Sequence, residues 1–369
     1  MLNFEFPPLG GGAAPLCFDT ARRIIQEGHK IDLVTMGYKG LKAYENIEGI
    51  NVYRVPCIRK NKEYSTTFEL FTYLPTAFMK ALKLTKKNKY DINHTHFIIP
   101  TGFISYLLKK IRNLDYVITS HGSDVPNYNP DRFKLGHKLL PPIWKLIIKN
   151  AKRIITPSEH LKNLILKTYT TDKIDVIFNG IDIEEKVEKE KEDTILFAGR
   201  LLERKGVQYI IEAIKDLNLE GYKVIIVGDG PYREELEKKA EEIKDKIQFI
   251  GWIDQKKLKE LYAISKIFIL PSTQESFGMV IAEAMEKNMA VICGEGSACS
   301  EVLGKTGITL NPRSSKQIKR AIEYFIKNPS KIEEAGKLGR KRAKRLFDVK
   351  NISQNYIELY NDVIKTKTI

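Results

Sequence analysis

Short apolar segments alternate with helix-like segments along most of the chain, and this alternation limits the fold more than any other feature. In the first half, helical patterns at residues 66–88 and 101–112 each lead into a short apolar run. In the second half, apolar runs at residues 194–198 and 223–227 each lead into a helical pattern. Strands separated by helices favour a parallel sheet with helices on both faces. The sequence therefore predicts an α/β protein built from two doubly wound domains that face a deep cleft.

The domain boundaries are predicted from length and charge. At 369 residues the chain exceeds the size at which one core usually divides. Residues 181–193 are almost all charged and are typical of an exposed linker. We predict an N-terminal domain at residues 1–178, a C-terminal domain at 179–345, and a last helix, 346–369, that packs back toward the N-terminal domain. The first strand, residues 2–6, is short, so either it is abbreviated or the sequence begins within it.

The charge of the chain is concentrated in its first half. The net charge is +15, and residues 1–178 carry +12 of it. A basic domain attracts an anionic partner, such as a phosphorylated acceptor or the surface of an acidic membrane. Nucleic acid is the least favoured partner, since the chain has no zinc finger, RNP motif or arginine-rich arm. We predict no nucleic-acid partner.

The expected location is cytoplasmic, with peripheral contact to the inner face of an anionic membrane. No apolar run approaches the roughly 18 residues of a membrane span, and the N-terminus does not resemble a signal peptide. Residues 132–150 mix Leu, Ile and Trp with Lys. This segment is either an amphipathic helix lying on a membrane or a helix packed on its own sheet.

The segment ESFGMVIAE places two carboxylates, Glu275 and Glu283, on either side of a helix that opens at Gly278. The N–H groups at the start of a helix suit a phosphate. Carboxylates accept hydrogen bonds from hydroxyl groups. At 1.5 Å of rise per residue, the two carboxylates are expected to lie on the order of 10 Å apart. A sugar, a diphosphate and a ribose in series span such a site, which predicts a nucleotide-sugar ligand.

Two cations are expected at the same sheet edge. In FAGRLLERKG, a strand ends before Arg200 and a helix opens after Lys205. Fixed cations can neutralise a departing nucleoside diphosphate without a metal; the alternative is a pair of solvated cations in a turn. Gly228, in VGDGP, allows a tight turn and close backbone approach. Trp252, in FIGW, either frames a nucleobase or packs in the core.

The first half contributes a glycine-rich loop and several histidines. Gly11 and Gly12, in PPLGGGAA, allow close approach to a phosphate or acceptor. The loop has neither the P-loop nor the GxGxxG spacing, and the alternative is a flexible turn. His121, in SHGSD, either donates a hydrogen bond to a sugar or is structural. The motif HTH at residues 94–96 puts two imidazoles on one face of a strand, but no third ligand lies nearby in sequence. With no DxD triplet in the chain, we predict no metal site.

Together, in order and spacing, these motifs resemble glycosyltransferase family 4, retaining enzymes of the GT-B architecture. The match covers nearly the whole chain. It implies metal-independent transfer of a hexosyl group from a UDP-sugar or GDP-sugar to a hydroxyl of a glycan, glycolipid or small-molecule acceptor. The nucleotide sugar is a co-substrate, and no cofactor is implied. The chain departs from the family pattern at residues 288–290, Asn-Met-Ala in place of Gly-x-Pro, and in the loop GEGSACSE.

The resemblance implies a role for each matched position. Glu275 contacts the donor sugar, Glu283 binds the ribose, and Arg200 with Lys205 clamps the diphosphate. With His121 facing the sugar, the predicted catalytic residues are His121, Glu275, Arg200 and Lys205. The predicted donor-binding residues are Gly11, Gly12, Gly228, Trp252, Phe277, Gly278, Met279 and Glu283. A nucleotide-sugar epimerase or phosphorylase, and a catalytically silent binding subunit, remain as alternatives that the intact motifs disfavour.

Overall fold

The computed structural model describes residues 1–62, 64–126, 128, 141–185 and 189–366. The chain divides into two compact units, Met1–Gly180 with Val349–Ile369, and Ile181–Asp348. Among the helices of the described residues, none is both long enough and apolar enough to cross a membrane.

The first unit is a sheet flanked by helices. Its described strands are β1 (Asp32–Met36), β2 (Tyr44–Ile47), β3 (Ile50–Val55), β4 (Asn93–His96), β5 (Tyr116–Thr119), β6 (Arg153–Thr156) and β7 (Ile174–Val176). Its described helices are α1 (Ala13–Gln26), α2 (Thr67–Lys87), α3 (Thr101–Arg112), α4 (Pro141–Asn150), α5 (Glu159–Leu166) and, from the end of the chain, α13 (Val349–Lys365).

The N-terminal residues join two parts of this sheet. The strands are ordered β2-β3-β1 and β4-β5-β6-β7, and only the β2–β3 pair is antiparallel. Leu2 bridges in parallel to Val34 on β1 and to Thr95 on β4. The first residues therefore act as an abbreviated strand between β1 and β4. The β2–β3 hairpin was not expected from the sequence, because the exposed, mixed pattern YENI carries no alternation of apolar residues.

The second unit is a parallel sheet of order β10-β9-β8-β11-β12-β13. Its strands are β8 (Glu192–Ala198), β9 (Lys223–Val227), β10 (Ile247–Gly251), β11 (Ser265–Leu270), β12 (Ala290–Gly294) and β13 (Ile308–Leu310). Its helices are α6 (Val207–Lys215), α7 (Arg233–Lys239), α8 (Gln255–Ile264), α9 (Met279–Glu286), α10 (Ala298–Leu303), α11 (Ser315–Lys327) and α12 (Pro329–Leu346), with 3-10 turns at Glu203–Lys205 and Glu241–Ile243. The short elements α10 and β13 were not predicted, since neither carries a long periodic pattern.

Most described residues of the predicted linker, 181–193, are exposed as expected, but both ends of the stretch are joined to the second unit. Ile181 bridges to Asp348, and Glu184 forms an ion pair with the buried Lys287. At the other end, β8 already begins at Glu192. Charged residues can therefore anchor this stretch to the second unit through ion pairs and backbone pairing, which composition alone does not reveal.

Candidate active site

In the second unit, the loop that follows β8 is fixed to the loop that follows the neighbouring strand β11. The N–H of Thr273 donates to the carbonyl of Arg204 at 2.9 Å. Gly206 has φ +79°, and a Cβ there would lie 2.2 Å from the carbonyl oxygen of Pro271. Only glycine fits such a position, because the backbone is left-handed and in direct contact with its neighbour. The two loops are thus held together at the carboxyl edge of the sheet, where ligands of such sheets bind.

This contact brings together two of the predicted catalytic residues. The Lys205 ammonium donates to the Glu275 carboxylate in an ion pair. Their side chains are only 15% and 14% exposed. Arg200 lies on the same loop, is exposed, and follows Gly199, whose N–H bonds to Val227. Cations and a carboxylate are therefore placed at one sheet edge, as the motifs predicted.

Helix α9 begins directly beyond this pair. Gly278 caps it with φ +97°, and the buried Phe277 ring packs edge-on against Phe347 at 5.3 Å. The first helical bond is donated by Ile281 to the Gly278 carbonyl. The backbone N–H group of Met279 therefore precedes the first helical hydrogen bond. This is the position in a helix that suits a phosphate.

Glu283 lies one turn into α9 and is half-buried. Burial raises the pKa of its carboxyl, and the neighbouring Tyr262 hydroxyl opposes that rise. Tyr262 is fully buried, and its hydroxyl forms no hydrogen bond in the structure. Sequence reasoning missed Tyr262, because a tyrosine in an amphipathic helix is indistinguishable from ordinary core.

The glycines of VGDGP have a structural reason of their own. A Cβ on Gly228 would lie 2.0 Å from the carbonyl oxygen of Gly199, and its φ is +124°. The close approach that the motif predicted is thus made to the Arg200 loop within the same unit. Gly228 also donates to the carbonyl of Gly251 at 2.8 Å, directly before Trp252. Trp252 is 75% exposed, which excludes the alternative that it packs in the core.

In the first unit, the glycine-rich loop is tied in place by hydrogen bonds. Gly10 donates to the carbonyl of Lys62 at 2.7 Å, and Gly11 donates to the carboxylate of Glu5 at 3.2 Å. Gly11 and Gly12 are exposed, and Gly12 caps α1 without a side-chain partner. The loop therefore presents backbone groups to solvent at the start of a 14-residue helix.

His121 follows β5 and contacts the HTH motif on β4. Its Nε2 lies 3.0 Å from Nδ1 of His96, and the two rings are parallel at 5.3 Å. His94 stacks on His96 at 4.4 Å, which confirms that the two imidazoles share one face of the strand. Nδ1 of His94 bonds the Tyr360 hydroxyl at 2.6 Å. The final helix α13 is thereby connected to His121 through two stacked histidines.

Burial keeps this histidine cluster uncharged. Desolvation lowers the pKa of His121 to about 4 and that of His94 to about 3, and it lowers the pKa of His96 as well. All three are neutral near pH 7. Nε2 of His96 is buried without a hydrogen-bond partner and borders a small cavity lined also by His121, Asn179 and Tyr356. From the sequence, the HTH motif was considered only as a metal site, and that interpretation was rejected. Its contact with His121 is visible only in the folded structure.

Asp124 holds the loop that carries His121. Its carboxylate accepts from the backbone N–H of His121 at 3.2 Å and of Ile98 at 2.7 Å. Trp144 on α4 donates from Nε1 to the Asp124 carbonyl at 2.9 Å. Asp124 thus organises the backbone of the loop.

The structure tests the two interpretations of residues 132–150 only over residues 141–150. Residues 132–140 lie outside the described part. In α4, Trp144, Ile147 and Ile148 are buried against the sheet, so this helix packs on its own domain. Among the described residues, no group of three His, Cys, Asp or Glu side chains could hold a metal ion.

Comparison with known proteins identifies the family. A model of Glycosyltransferase Family 4 matches residues 10–185, and a model of Glycosyl transferases group 1 matches residues 179–342. The O-antigen chain mannosyltransferase RfbU of Salmonella typhimurium is 30% identical over 295 residues, which cover 77% of this chain and 79% of the relative. The chain belongs to glycosyltransferase family 4. An uncharacterized glycosyltransferase of Methanocaldococcus jannaschii is 29% identical to this glycosyltransferase. The aligned region covers 98% of this chain and 97% of the relative.

Solved structures agree on the fold of this glycosyltransferase. Sucrose-phosphate synthase from Thermosynechococcus elongatus superposes with a TM-score of 0.82 at 21% identity, covering 96% of this chain and 94% of the other. HepE from Anabaena, solved with UDP and glucose, superposes with a TM-score of 0.76 at 19% identity, covering 98% of each chain. The predicted GT-B fold with two Rossmann-like domains is confirmed.

Proposed function

We propose that this enzyme is a retaining, metal-independent hexosyltransferase that uses a nucleotide diphosphate sugar and glycosylates a hydroxyl of a glycan, glycolipid or small molecule. The observation that carries the proposal is the Lys205–Glu275 ion pair beside the start of α9. A cation, a carboxylate and a helix N-terminus at one sheet edge match the charges of a sugar diphosphate. A catalytically silent subunit would have no need to keep both charged partners.

When the donor binds, Lys205 is expected to change its partner from Glu275 to the diphosphate. A diphosphate placed at the N-terminus of α9 attracts the Lys205 ammonium, which releases the Glu275 carboxylate to accept hydrogen bonds from sugar hydroxyls. Arg200 adds a second cation for the charge that develops on the leaving diphosphate. With this countercharge supplied by side chains, the proposal needs no metal.

The chemical step balances without a protein nucleophile. The bond between the anomeric carbon and the diphosphate oxygen breaks, and the acceptor hydroxyl oxygen bonds the same carbon on the same face. The acceptor proton passes to an oxygen of the leaving diphosphate. His121, neutral through burial, hydrogen-bonds a hydroxyl of the sugar, while Glu283 binds the ribose. The configuration at the anomeric carbon is therefore retained.

The nature of the donor is inferred from relatives. The Salmonella relative is called a mannosyltransferase, and HepE was solved with UDP and glucose. The first supports a hexose donor and the second a UDP carrier, with GDP as the alternative carrier in this proposal. Trp252, exposed beside the Gly228 turn, is the proposed contact for the base.

A panel of nucleotide sugars tests the proposal. The correct donor should raise the melting temperature and undergo slow hydrolysis, and the released or transferred sugar should keep the α or β configuration of the donor by NMR. Chelating agents should leave the rate unchanged. Glu275→Gln should abolish turnover, whereas Glu334→Gln, a change in an exposed ion pair of α12, should not. An inverted product, or full turnover in Glu275→Gln, would contradict the mechanism.

We also propose that the enzyme is cytoplasmic and makes peripheral contact with an anionic membrane through the basic first unit. Sedimentation with anionic vesicles at low salt, reversed at high salt, is the expected behaviour. Absence of sedimentation at low salt would contradict this part of the proposal.

A further inference from the structure

The first unit exposes a row of large apolar side chains on the outer face of α2. Phe68 and Phe71 are each 64% exposed, and Met79 is 65% exposed. Pro75, also exposed, lies between them. At 100° per residue these four positions fall within an arc of about 80°, and from Phe68 to Met79 they extend over about 16 Å.

Two residues ahead of α2 extend this row. Ile58 is 48% exposed, and its N–H bonds the Thr72 hydroxyl on α2 at 3.0 Å. Tyr64 is 41% exposed directly before the helix. We call Ile58, Tyr64, Phe68, Phe71, Pro75 and Met79 the α2 apolar strip. Soluble proteins rarely leave contiguous apolar surface of this kind uncovered unless it binds something.

The exposed charged side chains that the structure describes on α2 and in the segment just before it are lysines, while Glu63, between Lys62 and Tyr64, lies outside the described residues. Exposed lysines lie at both ends, Lys60 and Lys62 before the helix and Lys83, Lys86 and Lys87 in its last turns. The single carboxylate of α2, Glu69, is buried and accepts from the backbone N–H groups of Lys60 and Thr66. The outer face of α2 therefore presents no negative charge.

We propose that the α2 apolar strip is the surface by which the first unit binds an anionic membrane. Aromatic side chains at the centre insert into the headgroup region, while the flanking lysines contact anionic headgroups. A protein partner would also cover apolar side chains, but exposed lysines at both ends of the strip fit an extended anionic surface better. The inference deepens the proposed peripheral contact and does not depend on the transfer chemistry.

Vesicle flotation tests this surface. The wild-type enzyme should float with vesicles of equimolar phosphatidylcholine and phosphatidylglycerol, and not with phosphatidylcholine alone. The double variant Phe68→Ser/Phe71→Ser should bind the anionic vesicles about a hundredfold more weakly, because two aromatic rings no longer enter the lipid. The matched control is Leu338→Ser, which removes a side chain that is 47% exposed on α12 in the second unit; its binding should stay unchanged.

Two further measurements separate the outcomes. Phe68→Trp should show a blue-shifted emission with anionic vesicles, and Leu338→Trp should not. Donor hydrolysis by the Phe68→Ser/Phe71→Ser variant should match the wild type, so loss of lipid binding is distinguishable from loss of catalysis or folding. Wild-type-like flotation of the double variant would overturn the proposal. So would light scattering that shows a dimer which the double variant abolishes, because the strip would then bind a second copy.

Discussion

The Lys205–Glu275 ion pair allows a prediction whose size can be worked from the structure. Lys205→Met removes the ammonium and keeps the stem, and Glu275→Gln removes the charge and keeps the shape. Each single change leaves one charge without its partner in a site where both side chains are about 15% exposed. The double variant leaves no charge there. Its destabilisation should therefore be smaller than the sum of the two single changes.

The expected coupling lies between two limits. Exposed ion pairs contribute about 0–1 kcal/mol, whereas breaking a fully buried pair costs about 3–5 kcal/mol. Because a small fraction of each side chain still meets water, solvent screening reduces the buried value. We expect a coupling free energy of about 1–3 kcal/mol between Lys205 and Glu275, within the range found for residues in direct contact.

Denaturant unfolding of the wild type, the two single variants and the double variant measures this coupling as a change in the free energy of unfolding. The measurement is then repeated with a saturating nucleoside diphosphate. If Lys205 turns to the diphosphate, the coupling to Glu275 should fall. A coupling below about 0.5 kcal/mol without nucleotide would refute the view that the pair is desolvated and structurally important. A coupling that nucleotide leaves unchanged would refute the exchange of partners.

Three other predictions follow from single residues. Gly228→Ala should destabilise the protein by at least about 1–3 kcal/mol, because its Cβ would strike the Arg200 loop, and titration should show weaker nucleotide binding. Gly12→Ala, where a Cβ meets open space, should keep the wild-type melting temperature in the thermal-shift assay. The pKa of His121 in the folded protein is lowered to about 4, so between about pH 6.5 and 4 the unfolded chain binds more protons than the folded protein does. The free energy of unfolding should therefore fall as the pH falls through that window. His121→Asn should flatten this dependence by up to about 1.4 kcal/mol per pH unit in denaturation measured across the window. Since Trp144 is buried and Trp252 is exposed, nucleotide should quench the long-wavelength part of the emission, and Trp252→Phe should remove that quenching without loss of stability; persistence of the signal would exclude Trp252 as the base contact.

Local pattern predicted most of the secondary structure, since helices and strands with strong periodicity form wherever they have a core to pack on. The helix Thr101–Arg112 matches the predicted bounds, and α2, Thr67–Lys87, lies within the predicted 66–88. The same local information failed for the β2–β3 hairpin and for Ala298–Leu303, which are too short to carry a period.

The candidate site residues were chosen from the sequence, because FAGRLLERKG, ESFGMVIAE and SHGSD place charged and polar side chains directly after strands. Chain order and spacing were sufficient for choosing these residues and for inferring the family. The contact partners of these residues were decided only by the tertiary structure. Lys205 reaches Glu275 because neighbouring strands bring two distant loops together, and His121 meets His96 because β4 and β5 are paired. The tertiary structure also decides that Trp144 is buried while Trp252 and the α2 apolar strip are exposed. Which face of a helix packs on the core depends on elements far away in the chain.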